Sequence, residues 1–553
     1  MFIVHTFQLS AIIAFINFQV SHAQLKNCEK VSGGPGNNRT NYLPSVACKC
    51  SGNGGCDSVQ FKGYSSSKYA ELVISDQSGR RFEQQPTLTW QRAGVRPSTN
   101  SSKQLIATTR YAGRAPWQGF GAGLSDSAAV NLDSMTGAAK SSVLNEYFNT
   151  ETGNDYSLVR TNIGTSTYST HPYTYDDTNR DFNMDNFNLT SEDTELKMPI
   201  LNEIKKLSDI ELIGALWTGP TWLKSSGLEN SGKIVKNKPT ENENYQNALV
   251  QYLAKYVETY QAAGFKFWGI SPLNEPVAAI NGDFPNTQWG PTAFAKFLYL
   301  HMAPYFQKNF PGVEIISNEN GKVSTLFWML FLADIQAQIA NNTDIDTGVI
   351  DNVKYFGIHS LKGDVQTPNF ATRLIEVVAE NFHPISTETE YALSSKYSAN
   401  DYLGSWTVAE AYARNMIDDI NVNSSAFLDW NMVLDSRGGP SWVGRYSVPS
   451  IMADPVDNDV FYKNPSFYVI GHFSKLIKKG WNARKSKVKF NGPHHSGLDV
   501  AIMESPGLTE RVAVIHSRYT IDVDVNYYDK DLKKEVPFTV PAKSISTLYY
   551  SLI

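Results

Sequence analysis

Between Trp117 and roughly residue 480, eight short apolar runs alternate with longer stretches of helical period, and this alternation constrains the fold more than any other feature. The runs are Gln118–Gly123, Ser157–Asn162, Glu211–Thr218, Phe265–Ser271, Glu314–Asn318, Tyr355–His359, Pro384–Glu388 and Ala426–Asn431. Each has the length and apolar content of a buried strand. Most of the intervening stretches are amphipathic. In the clearest, Tyr245, Leu249, Tyr252, Leu253, Tyr256, Val257 and Tyr260 place one apolar face at helical spacing. Eight strand–helix units over roughly 300 residues predict an α/β fold of the (β/α)8 TIM-barrel type. An open doubly wound sheet is the alternative, and it would normally carry a Gly-rich nucleotide-binding turn. Gly119-Phe-Gly-Ala-Gly123 lacks the third glycine of such a turn and the acid that should follow it, so it reads as a tight strand end.

The flanks read as β throughout. Lys68–Ser75, Thr87–Trp90 and Gln104–Thr109 have strand character and are separated by Ser, Gly, Pro and Asn. From about Lys487 the helical pattern stops. Ile521, Val523, Val525 and Tyr527 then alternate with Asp522, Asp524 and Asn526, a strand with one buried face, and Pro537–Ile553 continues in that style. Neither flank holds a large core alone. They are expected to pack together as an all-β sandwich domain built from residues 67–116 and 481–553, beside a barrel over 117–480 with a β insertion near 432–465.

Residues 1–23 read as a signal peptide: an apolar stretch containing Ala11–Ile16 precedes Ser21-His-Ala23, although the n-region has no Lys or Arg. No later segment is long and apolar enough to span a bilayer, so no transmembrane segment is expected. All four cysteines (Cys28, Cys48, Cys50 and Cys56) lie in a segment spanning about 24–66, where two disulfides are expected. A zinc site would need a longer spacer than Cys48-Lys-Cys50 provides. Five Asn-x-Ser/Thr sequons (Asn38, Asn100, Asn188, Asn341 and Asn423) fit passage through the secretory pathway. Hydrophobic residues make up 41% and charged residues 19%, ordinary globular proportions. A net charge of -5 argues against a nucleic-acid partner, which usually meets a basic patch.

Side chains at the C-terminal ends of barrel strands face the active site. The strand Phe265–Ser271 runs into Pro272-Leu-Asn274-Glu275-Pro276, which sets a carboxylate beside an amide. Alone, this tripeptide is no more than a polar turn. At a strand end the glutamate is suited to protonating a glycosidic oxygen while the amide holds a sugar hydroxyl. A retaining glycosidase needs a second carboxylate about 5–5.5 Å away. Glu388 and Glu390 end another strand candidate, and being two apart they point to the same side. One of them is expected to be an ordinary surface or ion-paired acid. Trp217, His359 and Trp430 close three further strands, where aromatic faces and an imidazole suit a pyranose. A lone Trp or His is usually core, but three at strand ends with two acids are hard to ascribe to chance. His494-His495, beside Gly and Pro, reads as a solvated turn rather than a metal site.

These residues resemble the lysosomal glucosylceramidase (acid β-glucosidase) group of glycoside hydrolase family 30, over nearly the whole mature chain. The resemblance is carried by the cysteine cluster, Gly119-Phe-Gly-Ala-Gly-Leu-Ser-Asp126, Trp217-Thr-Gly-Pro-Thr-Trp-Leu-Lys224, Asn274-Glu275-Pro276, Asp429-Trp-Asn431, Gly438-Gly-Pro-Ser-Trp442 and Gly471-His-Phe-Ser-Lys475. It implies a retaining hydrolase acting on glucosylceramide or a close β-glucoside without metal or cofactor. It further implies a lysosomal or secreted address, an acidic optimum, an acidic lipid surface as the place of work and a saposin-type activator as partner. Glu275 would be the acid/base and a glutamate of the 388–390 stretch the nucleophile. The preceding Ser386-Thr387 favours Glu388, whereas counting back from Leu403-Gly-Ser-Trp406 falls between the two.

The chain departs from the family at the sugar wall. Thr167 stands where the family has a sugar-holding Asp, and Ser360-Leu361 follow His359 where it has Trp-Tyr. Two alternatives therefore stand beside the leading reading. One is a secreted family 30 glycanase such as a β-1,6-glucanase, and the other is a catalytically weak carbohydrate-binding homologue.

Overall fold

The computed structural model describes residues 28–32, 46–63, 66–93, 104–112, 115–234, 239–276, 284–322, 324, 353–361, 382–489 and 497–553. The leader-like stretch 1–23, the sequons at Asn38, Asn100 and Asn341, and His494-His495 lie outside the described residues. Of the remaining sequons, Asn188 is exposed and Asn423 half-buried.

Eight parallel strands close into a barrel: β1 Gly119–Gly123, β2 Leu158–Ile163, β3 Glu211–Leu216, β4 Phe267–Ser271, β5 Glu314–Gly321, β6 Tyr355–Leu361, β7 His383–Ala392 and β8 Ala426–Asp429. They pair in chain order, and β8 returns to β1 with Ala426 opposite Gly119. Each apolar run of the sequence supplies one strand. Three of them run further than the apolar pattern, β5 to Gly321, β6 to Leu361 and β7 to Ala392, because backbone pairing continues past it: Gly321 is opposite His359, Leu361 opposite Glu390 and Ala392 opposite Ser447. Gly119–Gly123, read as a strand end, is itself a fully buried strand.

Leu158, Ile213, Trp268, Ile316, Tyr355, Ile385, Ala426 and Leu428 fill the lower half of the barrel. Burying an aliphatic side chain of this size contributes roughly 1.5–3 kcal/mol. The apolar plug leaves only the C-terminal half of the barrel free for polar groups. Outside, the helix Pro239–Ala262 buries all seven residues of its predicted face. The helix Asp126–Ser134 starts where the Ser125 hydroxyl accepts from Ala128 N–H, and Gly137–Phe148 starts at Thr136 by the same device.

The two termini share one sheet. Gln104–Ala112 lies between Asn482–Lys489 and Val523–Asp529, and Tyr69–Asp76 pairs with Ser544–Ser551. Trp90, Ile106, Val500, Ile515, Val525, Tyr527, Leu548 and Tyr550 make its core, so residues from both ends are needed to cover it. One expected position fails. Ile521 stands before the strand begins at Val523 and is 69% exposed.

A smaller sheet joins the cysteine segment to the insertion after β8. Its strands run in the order Glu29–Ser32, Val46–Ser51, Val460–Lys463, Ile451–Ala453 and Val433–Leu434. Disulfides link Cys28 to Cys48 and Cys50 to Cys56. Cys50 and Cys56 stand with Asp57 in a grouping of metal-ligand type, but their sulfurs are bonded to each other. Below the sheet the buried Lys463 ammonium is held between Glu146 (2.7 Å) and Asp57 (2.9 Å). The insertion is thereby anchored, and its Ser447–Val448 strand pairs with Tyr391 and Ala392 at the end of β7. Among the described residues no helix is long and apolar enough to cross a membrane.

Candidate active site

Asn274 and Glu275 leave β4 at the barrel mouth and are stitched to both neighbouring strands. Asn274 N–H donates to the Leu216 carbonyl (2.7 Å), and Glu275 N–H donates to the Glu319 carbonyl (2.9 Å). Glu275 has φ +44°, in the left-handed region that side chains other than glycine rarely adopt. Such a conformation costs on the order of 1–3 kcal/mol and persists only where neighbours impose it. Here the two backbone bonds do so. The Glu275 carboxyl lies 3.0 Å from His359 Nδ1, and the far side of the same ring, Nε2, lies 3.9 Å from Glu388 Oε2. One imidazole therefore separates the two carboxyl groups.

Strand parity alone would not bring Glu388 to this place. Ile385 packs inside the barrel, so regular alternation would put Thr387 and Thr389 inside and Glu388 outside. A bulge at Thr387 reverses the parity: Ile358 is opposite Ser386 but His359 is already opposite Glu388, and on the other side Ser386 faces Phe427 while Thr389 faces Asp429. β5 has the same irregularity between Ile316 and Glu319, which turns Glu319 inward. β6 runs between the two bulged strands. A Cβ on its Gly357 would lie 2.5 Å from the Glu319 side chain and 2.8 Å from Thr387 Oγ1, so only glycine leaves room for both bulges.

Arg160, from the middle of β2, ties the cluster together. It is fully buried and donates to Glu388 (2.9 Å), Asn274 (2.9 Å) and Glu319 (3.0 Å). Its guanidinium carbon also lies 4.7 Å from the ring centres of both Trp217 and Trp430, which stack on each other at 5.4 Å. A Cβ on Gly123 would strike the Trp430 ring at 2.1 Å, so the glycine of β1 makes space for that indole. Burial opposes the charge on Arg160, yet Glu319 and Glu388 hold it above its ordinary pKa. Burial likewise pushes Glu319 up, but Arg160 and His359 outweigh it and keep this carboxyl below the usual range. His359 is disfavoured as a cation by burial, and Glu388, Glu275 and Glu319 reverse that.

The two neighbouring glutamates of β7 have different surroundings. Burial raises Glu388, opposed by His359 and Arg160. Burial and the nearby Glu388 push Glu390 up to about 8, and its Oε2 accepts from the Tyr168 hydroxyl at 2.9 Å. Both carboxyls are pushed up, but Glu388 has two cations opposing the rise and Glu390 has none, so a charge on the pair is favoured at Glu388. This has a consequence for stability. An acid with a raised pKa in the folded chain stabilises it fully below the unfolded pKa, and the contribution is lost as pH rises toward about 8. The Tm advantage of wild type over Glu390→Gln should therefore shrink between pH 5 and 8.5, by up to roughly 1.4 kcal/mol of stability per pH unit. Parallel Tm curves for the two proteins over that range would show that Glu390 does not bind a proton there.

All six residues singled out from sequence (Trp217, Asn274, Glu275, His359, Glu388 and Trp430) belong to this one cluster. Glu390 stands beside them but does not share His359 or Arg160. Thr167 is half-buried and gives its carbonyl to Ser441 Oγ at 2.8 Å, while the buried Ser360 hydroxyl has no hydrogen-bond partner among the described residues. Sequence reasoning missed Arg160, Glu319 and Tyr168. A signal existed for Arg160: a charge two residues from Leu158 in a strand lies on the same side as that residue, which packs inside the barrel. Glu319 lies one residue beyond the expected end of its strand.

The family model for the Glycosyl hydrolase family 30 TIM-barrel domain matches residues 117–477, and the chain belongs to that family. It is 29% identical over 426 residues to the lysosomal acid glucosylceramidase of Mus musculus, covering 75% of this chain and 77% of that one. It is also similar to an endo-1,6-beta-D-glucanase of Neurospora crassa, 22% identical over 78% of this chain and 84% of that one. The crystal structure of SrfJ from Salmonella typhimurium shares the fold at 21% identity, with a TM-score of 0.73 over 87% of this chain and 99% of that one.

Proposed function

We propose that the chain hydrolyses the β-glucosidic bond of glucosylceramide, or a close β-glucoside, with net retention. The observation that carries this reading is the placement of Glu275 and Glu388 on either side of the His359 ring at the C-terminal mouth of the barrel. Glu388, whose charge Arg160 and His359 favour against burial, attacks the anomeric carbon while Glu275 protonates the leaving oxygen. A glucosyl–Glu388 ester and free ceramide result. Water then gives a proton to Glu275 and its oxygen to the anomeric carbon, which releases glucose and restores both carboxyl groups. Trp217 and Trp430 form the aromatic wall, Asn274 meets a sugar hydroxyl, and no step calls for a metal or other cofactor.

The similarity to a lysosomal enzyme and the two disulfides support a secretory route ending in the lysosome or outside the cell. The substrate then lies in an acidic lipid surface, where a saposin-type activator would act. One observation favours a second reading. Thr167 and Ser360 alter the sugar wall, and a relative is an endo-1,6-beta-D-glucanase. Rates on glucosylceramide in anionic vesicles and on β-1,6-glucan decide between them. Faster release of glucose from the vesicles at pH 5 is expected, whereas turnover of the glucan alone would replace the lipid substrate with a polysaccharide.

A further inference from the structure

The mechanism leaves one buried acid at the barrel mouth without a task. We infer that Glu390, gripped by Tyr168, binds a hydroxyl of the sugar beside the nucleophile and so selects the substrate. This inference rests on the reading above.

The bulge at Thr387 turns Glu390 to the same side as Glu388, so its carboxyl stands next to the group that attacks. It is 8% exposed, close to the 6% of Glu388. Among the described residues no cation lies within ion-pair distance of it, because Arg160 is taken by Glu388 and Glu319. Tyr168 aims it, with its hydroxyl on Oε2 and its ring edge-on to Trp430 at 6.2 Å. Tyr168 is itself held: the next residue, Ser169, bonds to Asp126, and the preceding Thr167 is bonded to Ser441 of the insertion. A carboxylic acid that keeps its proton can both donate and accept, which matches a sugar hydroxyl. The groups facing it are Glu388 on its own strand, Tyr168 after β2, Ser447 on the paired strand, Glu275 after β4 and Tyr412 on the helix Trp406–Asn421. With two of these being carboxyl groups, Glu390 stays neutral through the acidic range. Loss of its proton would set a second anion beside Glu388 and remove the hydrogen bond that the acid donates to the sugar hydroxyl.

The test compares wild type with Glu390→Gln on an aryl β-glucoside and on its monodeoxy analogues carrying the same leaving group. Glu390→Gln is expected to lose about 10- to 100-fold in kcat/KM on the parent glucoside. It should lose far less on the one analogue that lacks the bound hydroxyl, and its alkaline limb should move upward. A fluorinated mechanism-based inhibitor should still label Glu388 in this variant. An equal loss on every analogue, or no loss on any, would overturn the inference, as would a label on Glu390. Should the variant fail to fold, Tyr168→Phe carries the same comparison, since it removes the bond that aims the carboxyl. Failure of the underlying reading looks different: wild type would then turn over none of the β-glucosides.

Discussion

Glu388→Ala is expected to cleave β-glucosides slower than wild type by a factor on the order of 10^4 or more, since the covalent route disappears with its nucleophile. Azide admitted to the vacated space attacks the sugar from the face opposite the leaving group and yields the α-glucosyl azide. Glu275→Ala behaves differently. With a leaving group that needs protonation the loss is about 10^2- to 10^4-fold. An activated aryl glucoside still forms the ester on Glu388, and azide, which needs no base, then releases the β-glucosyl azide. The anomeric configuration of the two products, read by NMR, assigns the roles independently of rate. Exchanged configurations would swap the two residues, and a loss under tenfold in Glu388→Ala would remove it from the chemistry. The spacing around His359 makes this the sharpest consequence of the geometry, because Glu390, the other glutamate of β7, does not reach that ring.

Arg160→Met should cost stability and shift the pH profile together. Arg160 is the shared cation of Glu319 and Glu388, all three buried. Removing one partner of a buried ion pair typically costs about 3–5 kcal/mol, because the remaining charge has lost both water and its counter-ion. The positive charge also lowers the pKa of Glu388, so without it the nucleophile ionises later and the acidic limb of kcat/KM moves to higher pH. Adding Glu319→Gln should recover part of the stability, since the double variant buries one anion fewer. Chemical denaturation and pH–rate profiles measure both effects. An Arg160→Met protein as stable as wild type would mean that water reaches the cluster and solvates both carboxylates.

Much of the fold was legible in the chain. Burial on both faces leaves a parallel strand no polar alternation, so the eight apolar runs appear as continuous blocks, and period-2 alternation marks the strand Val523–Asp529 of the terminal sheet. Asn274, Glu275, His359, Trp217 and Trp430 were legible too, because each follows an apolar run and therefore comes to the barrel mouth. Sequence also narrowed the nucleophile to two neighbours, since residues two apart share a side in any extended strand.

Tertiary structure decided the rest. Which side the two glutamates share depends on an extra residue at Thr387, and a bulge is a property of the pairing with β6 and β8 rather than of the strand itself. The inward turn of Glu319 depends on the same kind of irregularity in β5, with Gly357 leaving space between the two. Arg160 acquires its role only when closure of the barrel sets β2 opposite β5 and β7, residues 159 and 228 positions away along the chain. Local pattern thus determined which elements form and which ends carry the chemistry. Long-range pairing determined which acid meets the shared histidine, because distances across a closed barrel do not exist until its last strand returns to its first.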